Sequence, residues 1–220
     1  TGVTDNGDGT ASFDPTGLSG TITVTYSYTD GNSCSASDTA EIIVNPAPVV
    51  DAGTYGPLCS NGSPITLTGD PTNSNGTWSG TGVTDNGDGT ASFDPTGLSG
   101  TITVTYSYTD GNSCSASDTA EIIVNPAPVV DAGTYGPLCS NGSPITLTGD
   151  PTNSNGTWSG TGVTDNGDGT ASFDPTGLSG TITVTYSYTD GNSCSASDTA
   201  EIIVNPAPVV DAGTYGPLCG

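Results

Sequence analysis

Cysteine and aspartate are the residues in this chain whose chemistry could serve a function. Its 220 residues include 23 acidic side chains and no histidine, lysine or arginine. The usual general bases, Schiff-base lysines and imidazole metal ligands are therefore missing, and we expect the protein not to be an enzyme. Because no side chain can neutralise a phosphate, nucleic acid and anionic membrane surfaces are excluded as partners. No apolar run approaches the length of a membrane-spanning helix, so we expect no membrane insertion.

The cysteines show neither zinc-site nor redox-dithiol spacing. They are Cys34, Cys59, Cys114, Cys139, Cys194 and Cys219. Without basic neighbours the thiols are not activated, which favours structural disulfides formed in an oxidising compartment. We therefore expect an extracellular or cell-surface protein.

The pairing of the cysteines stays open between two schemes. The favoured pairs are Cys59–Cys114 and Cys139–Cys194, with Cys34 and Cys219 bonded outside this stretch or to neighbouring chains. The alternative pairs are Cys34–Cys59 and Cys114–Cys139, a scheme in which all six cysteines can find partners. Chain entropy gives about 4.2 kcal/mol for the longer loop and about 3.5 kcal/mol for the shorter, too small a difference to decide. The first scheme is favoured because the second would require the chain to fold back around a proline-rich connector.

A recurring Asp-Asn-Gly-Asp-Gly-Thr run is the candidate metal site. Its aspartates are Asp85 and Asp88, and again Asp165 and Asp168. Calcium loops take oxygens from alternate positions, whereas these aspartates are three residues apart. Asn-Gly and Asp-Gly are also strong hairpin-turn dipeptides, so a turn is the favoured interpretation. Calcium at this turn, or near Asp51 and Asp131, is the alternative.

These residues recur because the sequence repeats every 80 positions without a change until Gly220, which replaces the serine found at Ser60 and Ser140. A fixed period of this length predicts an array of similar modules. The Asn-Pro-Ala-Pro segments mark the boundaries, since two prolines so close together favour an extended connector. The predicted organisation is the C-terminal part of a module, two complete modules and the start of another, at 1–45, 46–125, 126–205 and 206–220. We expect this sequence to be an internal part of a longer, processed protein.

The strands can be read from the alternation of apolar and polar residues. In residues 101–109, Ile102, Val104, Tyr106 and Tyr108 alternate with threonine and serine, which predicts a half-buried strand. A first edge strand is predicted at 49–52, and Trp78 lies on the third strand and is expected in the core. About seven short strands in each 80-residue module predict an all-β fold: tandem immunoglobulin-like β-sandwiches forming an extended rod.

The motifs of one module resemble a known group of repeats. The runs PVVDAGTYGPLCSNGSPITLTG, GTWSGTGV, NGDGTASFDP, TVTYSYTDGNSCSASDTA and IIVNPAP resemble immunoglobulin-like or PKD-like repeats of large Bacteroidota cell-surface proteins, including adhesins and gliding-associated proteins. The resemblance implies a secreted tandem β-sandwich array with an adhesive or structural role. It also implies O-glycosylation at Asp-Thr-Ala motifs, with Thr39, Thr119 and Thr199 as acceptors; an ordinary exposed strand threonine is the alternative.

Repetition without divergence leaves no repeat with its own active site, so we expect function from multiplicity, length and surface. The favoured hypothesis is a structural subunit or segment of an extracellular filament or stalk, whose partners are further copies of itself. The alternative is a repetitive adhesin whose loops bind glycan or protein, possibly with calcium, through avidity.

Overall fold

The computed structural model describes residues 1–217 and 219–220, and in them the only regular secondary structure is β-strand. Residues 1–45 form two separate hairpins. Their strands are β1 (Val3–Asp5), β2 (Ala11–Phe13), β3 (Gly20–Thr29) and β4 (Ser35–Val44). The hairpin β1–β2 and the hairpin β3–β4 each pair antiparallel.

The middle repeat contains seven strands. They are β5 (Leu58–Cys59), β6 (Ile65–Thr68), β7 (Gly76–Gly80), β8 (Val83–Asp85), β9 (Thr90–Phe93), β10 (Gly100–Thr109) and β11 (Ser115–Asn125). One sheet has the strand order β5-β11-β10-β7 and the other has the order β6-β9-β8. The pairs β7–β10, β6–β9 and β8–β9 are antiparallel, whereas β5 runs parallel to the end of β11.

The next repeat has the same arrangement. Its strands are β12 (Leu138–Cys139), β13 (Ile145–Thr148), β14 (Gly156–Gly160), β15 (Val163–Asp165), β16 (Thr170–Phe173), β17 (Gly180–Thr189) and β18 (Ser195–Asn205). The sheets have the orders β12-β18-β17-β14 and β13-β16-β15.

Both strand orders are those of an immunoglobulin-like sandwich. The second, fifth and fourth strands of such a domain form one sheet, and the third, sixth and seventh form the other. The order β6-β9-β8 and the order β11-β10-β7 reproduce this division, with the short β5 added beside the last strand. The predicted all-β, immunoglobulin-like sandwich is therefore confirmed.

The core lies between the two sheets of each repeat. In the second complete repeat its buried residues come from both sheets: Ala132, Leu147, Trp158, Ala171, Phe173, Val184, Tyr186, Ala200, Ile202 and Val204. The predicted alternation is confirmed along β10, where Val104 and Tyr106 are fully buried, Thr103 is exposed and Thr105 is half-buried. Trp78 is also buried, as predicted, and its Nε1 donates to the carbonyl of Gly89 at 3.0 Å.

The tyrosine ring at the centre of each core requires glycine opposite it. A Cβ on Gly76 would lie 1.7 Å from the hydroxyl oxygen of Tyr106, and a Cβ on Gly69 would lie 2.3 Å from its ring. The ring instead packs against Trp78, with centroids 5.0 Å apart. Packing against the Tyr106 ring therefore requires glycine at position 76, the first residue of the Gly-Thr-Trp-Ser-Gly strand.

The predicted first edge strand at 49–52 is not a strand. Asp51 makes only an isolated antiparallel bridge to Asp70, and Val49 is exposed. Pro46 and Pro48 remove backbone donors just before this segment, so it cannot extend a ladder in that direction. The edge position beside the last strand is taken by β5 instead.

The chain divides into two compact units whose boundaries differ from the repeat boundaries. Unit 1 comprises Thr1–Pro57, Gly62–Thr96 and Thr101–Ile123. Unit 2 comprises Leu58–Asn61, Gly97–Gly100 and Val124–Gly220. The stretch carrying Cys59 therefore belongs to unit 2, together with the end of β11 and the repeat that follows.

Candidate functional site

The candidate functional site is a disulfide in unit 2 between Cys59 and Cys194, which are 135 residues apart in sequence. Their Cα atoms are 5.5 Å apart, within the range normal for a disulfide. Cys59 ends β5, and Cys194 directly precedes β18. The bond therefore connects the start of one 80-residue repeat to a hairpin of the next.

The hairpin that carries Cys194 is shaped by a carboxylate. Asp190 accepts hydrogen bonds from the backbone N–H groups of Asn192 and Cys194, both at 2.9 Å. Ser193 lies between them with a φ of 64°, a left-handed conformation that is uncommon outside glycine and asparagine. This Asp-Gly-Asn-Ser-Cys turn holds the sulfur of Cys194 in a buried position.

Hydrogen bonds also fix the segment around Cys59. The Ser60 N–H donates to the carbonyl of Asn125 at 2.8 Å, and the Ser60 hydroxyl accepts from the N–H of Ala127 at 2.9 Å. Ala127 lies between two prolines, which have no N–H, so it supplies the backbone donor of the connector. Asn61 Nδ2 donates to the carbonyl of Ser195 at 2.9 Å, close to the disulfide.

Both predicted disulfide schemes are wrong. The bond joins Cys59 to Cys194, so neither Cys59–Cys114 nor Cys139–Cys194 forms, and neither does Cys34–Cys59. The physical reason is the length of β11. Cys59 pairs with Asn125 at one end of this strand, and Cys114 directly precedes Ser115 at the other end. Ten steps of about 3.3 Å place the two ends about 33 Å apart.

The other four cysteines are free. Cys34, Cys139 and Cys219 are exposed, and Cys114 is half-buried. The Sγ of Cys114 lies 3.8 Å from the carbonyl oxygen of Asn45.

The aspartates predicted as calcium ligands make turn hydrogen bonds. The Asp88 carboxylate accepts from the N–H of Thr90 at 3.0 Å and from its hydroxyl at 2.6 Å, and these bonds hold its pKa below the ordinary value. Asp85 accepts a long bond of 3.4 Å from the N–H of Trp78. Asp165 and Asp168 repeat this arrangement. The predicted hairpin turn is therefore formed.

Among residues 1–217 and 219–220, no group of three or more metal-ligating side chains is close enough to hold an ion. Calcium binding, at the turn or near Asp51 and Asp131, stays a prediction.

The predicted glycosylation sites lie on exposed strand positions. Thr39, Thr119 and Thr199 all face outward. The aspartate that precedes Thr119 has a structural partner: Asp118 Oδ2 accepts from the N–H of the buried Ala52 at 2.9 Å, which lowers the pKa of its carboxyl. Asp198 does the same with Ala132. The aspartate of the motif thus serves the fold, and modification of the threonine stays a prediction.

Residues 1–45 carry an apolar surface that is covered in the complete repeats. Tyr26 is 59% exposed, whereas Tyr106 and Tyr186, at the same position of the repeat, are fully buried. Val3, Phe13, Val24 and Ile42 line a groove between the hairpins β1–β2 and β3–β4. In the complete repeats the equivalent surface is packed against the strands that precede it in the chain.

Comparison with solved structures finds multidomain proteins at low similarity. The titin domains z1z2 in complex with telethonin are 18% identical over 76% of this chain and 100% of their own, with a TM-score of 0.30. The insect immune protein hemolin is 13% identical over 94% of this chain and 62% of its own, with a TM-score of 0.35. The Ig1–2 module of the Drosophila receptor protein tyrosine phosphatase DLAR is 12% identical over 73% of this chain and 100% of its own, with a TM-score of 0.30.

No family model and no curated protein matches the chain. At the TM-scores above, the fold assignment rests on the strand order alone. In the described part of the chain, no helix is long and apolar enough to cross a membrane.

Proposed function

We propose that this protein is a structural segment of an extracellular filament or stalk, built from identical immunoglobulin-like repeats. The observation that carries the proposal is the disulfide between Cys59 and Cys194, which connects successive repeats covalently in addition to the peptide chain. A bond of this kind adds nothing to the core of a single sandwich. It limits how far the chain can be extended, which is a property useful to a load-bearing element.

The surface is consistent with such a role. The chain carries 23 acidic and no basic side chains, so neighbouring copies repel one another at low salt. No repeat differs from the others near a groove or turn, because the sequences are identical up to Gly220. A disulfide between repeats also requires an oxidising compartment, which supports an extracellular location. The resemblance to Bacteroidota surface repeats points in the same direction.

A ligand-binding experiment separates this role from that of an adhesin. The full chain, with its disulfide intact, is applied to a glycan array and to matrix proteins, with and without millimolar calcium. A structural segment gives signals equal to those of a blank surface under both conditions. Saturable binding to a defined glycan or protein, retained when the Cys59–Cys194 bond is reduced, would contradict the proposal and favour the adhesin.

A further inference from the structure

The three-stranded sheet of each complete repeat has an edge at its first strand, which is β6 in the middle repeat and β13 in the next. β6 pairs antiparallel with β9, and its other side has no strand beside it in the described part of the chain. An edge of this kind presents backbone N–H and C=O groups to which a further strand can add. Residues Ile65–Thr68 are uncharged, so no charged side chain on the strand itself opposes such an addition.

The pairing register shows which backbone groups face this edge. The N–H of Gly69 donates to the carbonyl of Gly89, on the side of β9. Because backbone groups alternate in direction along a strand, those of Thr66, Thr68 and Asp70 face the opposite side, which is the open edge. These three positions are the ones that an added strand would use.

Two of the three positions are already hydrogen-bonded without an added strand. Asp70 and Asp51 exchange both of their backbone hydrogen bonds, at 2.9 and 3.0 Å. At Thr68 a side chain takes the place of a strand: the hydroxyl of Tyr55 accepts from the Thr68 N–H at 2.9 Å and donates to the Thr68 carbonyl at 3.3 Å. A phenol can make both bonds because its oxygen is a donor and an acceptor. Thr66 stays exposed.

The next repeat has the same arrangement. The Tyr135 hydroxyl accepts from the Thr148 N–H at 2.9 Å and donates to the Thr148 carbonyl at 3.3 Å. Asp131 and Asp150 exchange both of their backbone hydrogen bonds, each at 2.9 Å. Because both copies lie in complete sandwiches, the arrangement is a property of the repeat.

A tight turn and a packed ring place the Tyr55 hydroxyl at the edge. Gly53 has a φ of 74°, in the left-handed region that favours glycine, and its N–H donates to Asp51 Oδ1 at 2.7 Å. A Cβ on Gly53 would lie only 3.1 Å from the Tyr55 hydroxyl oxygen. The Tyr55 ring packs edge-on against Trp78, with centroids 6.4 Å apart. The hydroxyl is therefore held where the backbone of an added strand would run.

We propose that the hydroxyls of Tyr55 and Tyr135 close this edge against strand addition by a second copy of this chain. The partner that they exclude is the same edge of the other copy, β6 or β13, because two identical strands can pair antiparallel about a two-fold axis. Identical repeats raise this risk, since every copy offers every other copy the same sequence to pair with. The inference follows from the strand pairing and does not depend on the proposed structural role.

The double variant Tyr55→Phe with Tyr135→Phe tests the hydroxyls alone, because it keeps the rings that pack against tryptophan. In dilute solution the amides of Thr68 and Thr148 should exchange at least about fivefold faster than in wild type, the equilibrium value of one hydrogen bond. Hydrogen–deuterium exchange measures this, and the two repeats give identical peptides that report together. Unchanged exchange would overturn the proposal.

The matched control is Tyr108→Phe with Tyr188→Phe. It removes two hydroxyls that contact the side-chain amides of Asn73 and Asn153 and do not contact a strand edge. Free thiols are alkylated in every sample, so that oxidation cannot link copies. All samples contain about 0.3 M salt, which screens the repulsion between acidic molecules.

At higher concentration the double variant should form more dimer than wild type or the control in analytical ultracentrifugation. The amides of Thr66 and Thr68 should become protected as the dimer forms, because the added strand supplies their acceptors. Association no greater than that of wild type, association without protection of Thr66, or equal association of the control would each overturn the proposal.

A third substitution tests whether the dimer uses this edge. Thr66→Pro removes the N–H that faces the open side and keeps the bonds to β9, and proline is tolerated on edge strands in that orientation. Added to the double variant, Thr66→Pro should return association to the wild-type level. Association that persists in this triple variant would show that the tyrosine hydroxyls do not act by closing the β6 edge.

Discussion

The Cys59–Cys194 disulfide should limit how far the chain can be stretched by force. The bond bypasses the residues between two cysteines that are 135 positions apart. When the molecule is pulled from its two ends, residues 1–59 and 194–220 are the parts that can extend. At about 3.5 Å per residue, their contour length is about 300 Å. Breaking the bond should release about 470 Å more, for a total of about 770 Å.

Single-molecule force spectroscopy with peptide handles at both termini measures this directly, before and after addition of dithiothreitol. Cys194→Ser should give the long contour under both conditions. The double variant Cys114→Ser with Cys139→Ser is the control and should keep the short contour, since both of those thiols are free. If the disulfides were Cys59–Cys114 and Cys139–Cys194, reduction would instead release about 385 Å of contour length in two equal steps. Equal contour lengths with and without reductant would refute the reasoning.

Three further predictions concern the sandwiches themselves. Gly76→Ala should lower the free energy of unfolding by about 2 kcal/mol, because the added Cβ would collide with the Tyr106 ring. The control Gly56→Ala should change the free energy of unfolding by less than about 0.5 kcal/mol, because its Cβ would meet nothing within 4 Å. Urea denaturation of the two variants measures the difference. Burial raises the pKa of Tyr106. The stability that depends on its neutral phenol is therefore complete below about pH 10 and is lost as the pH rises through the higher folded-state pKa. Tyrosinate absorbance against pH should show this late titration, and a normal midpoint would contradict it. The hydrogen bond from the N–H of Ala52 lowers the pKa of Asp118. This carboxylate therefore stabilises the fold above about pH 4, and the effect is lost as the pH falls through the folded-state pKa. The stability difference between wild type and Asp118→Ala should shrink in acid, and a constant difference would contradict the prediction.

The sandwich could be predicted from the sequence because its long strands show a clear alternation of apolar and polar residues. Val104 and Tyr106 alternate with threonine and are buried in the structure, and the tight Asn-Gly and Asp-Gly turns separate the strands that they were predicted to separate. The strand predicted at 49–52 was wrong because β-branched residues there follow two prolines. The two-residue β5 is too short for any periodicity to reveal it.

The disulfide was harder to predict because the pairing of the cysteines depends on which end of a long strand each cysteine lies beside. Chain entropy treats Cys59–Cys114 as a reasonable loop, but it does not include the 11-residue β11 that separates the two. The sequence does hold a usable signal. Because β11 runs into the proline connector, a cysteine beside its end faces the following repeat, and the parallel addition of β5 is what places Cys59 there.

The most direct test of the account is the mass of fragments from unreduced monomer after cleavage at glutamate. A bond between Cys59 and Cys194 predicts fragments 42–121 and 122–201 held together, in the wild type and equally in the Cys114→Ser, Cys139→Ser double variant. Cys194→Ser should release them. Separate fragments in the unreduced double variant, or fragment 42–121 carrying its own internal disulfide, would contradict the claim that this bond connects successive repeats.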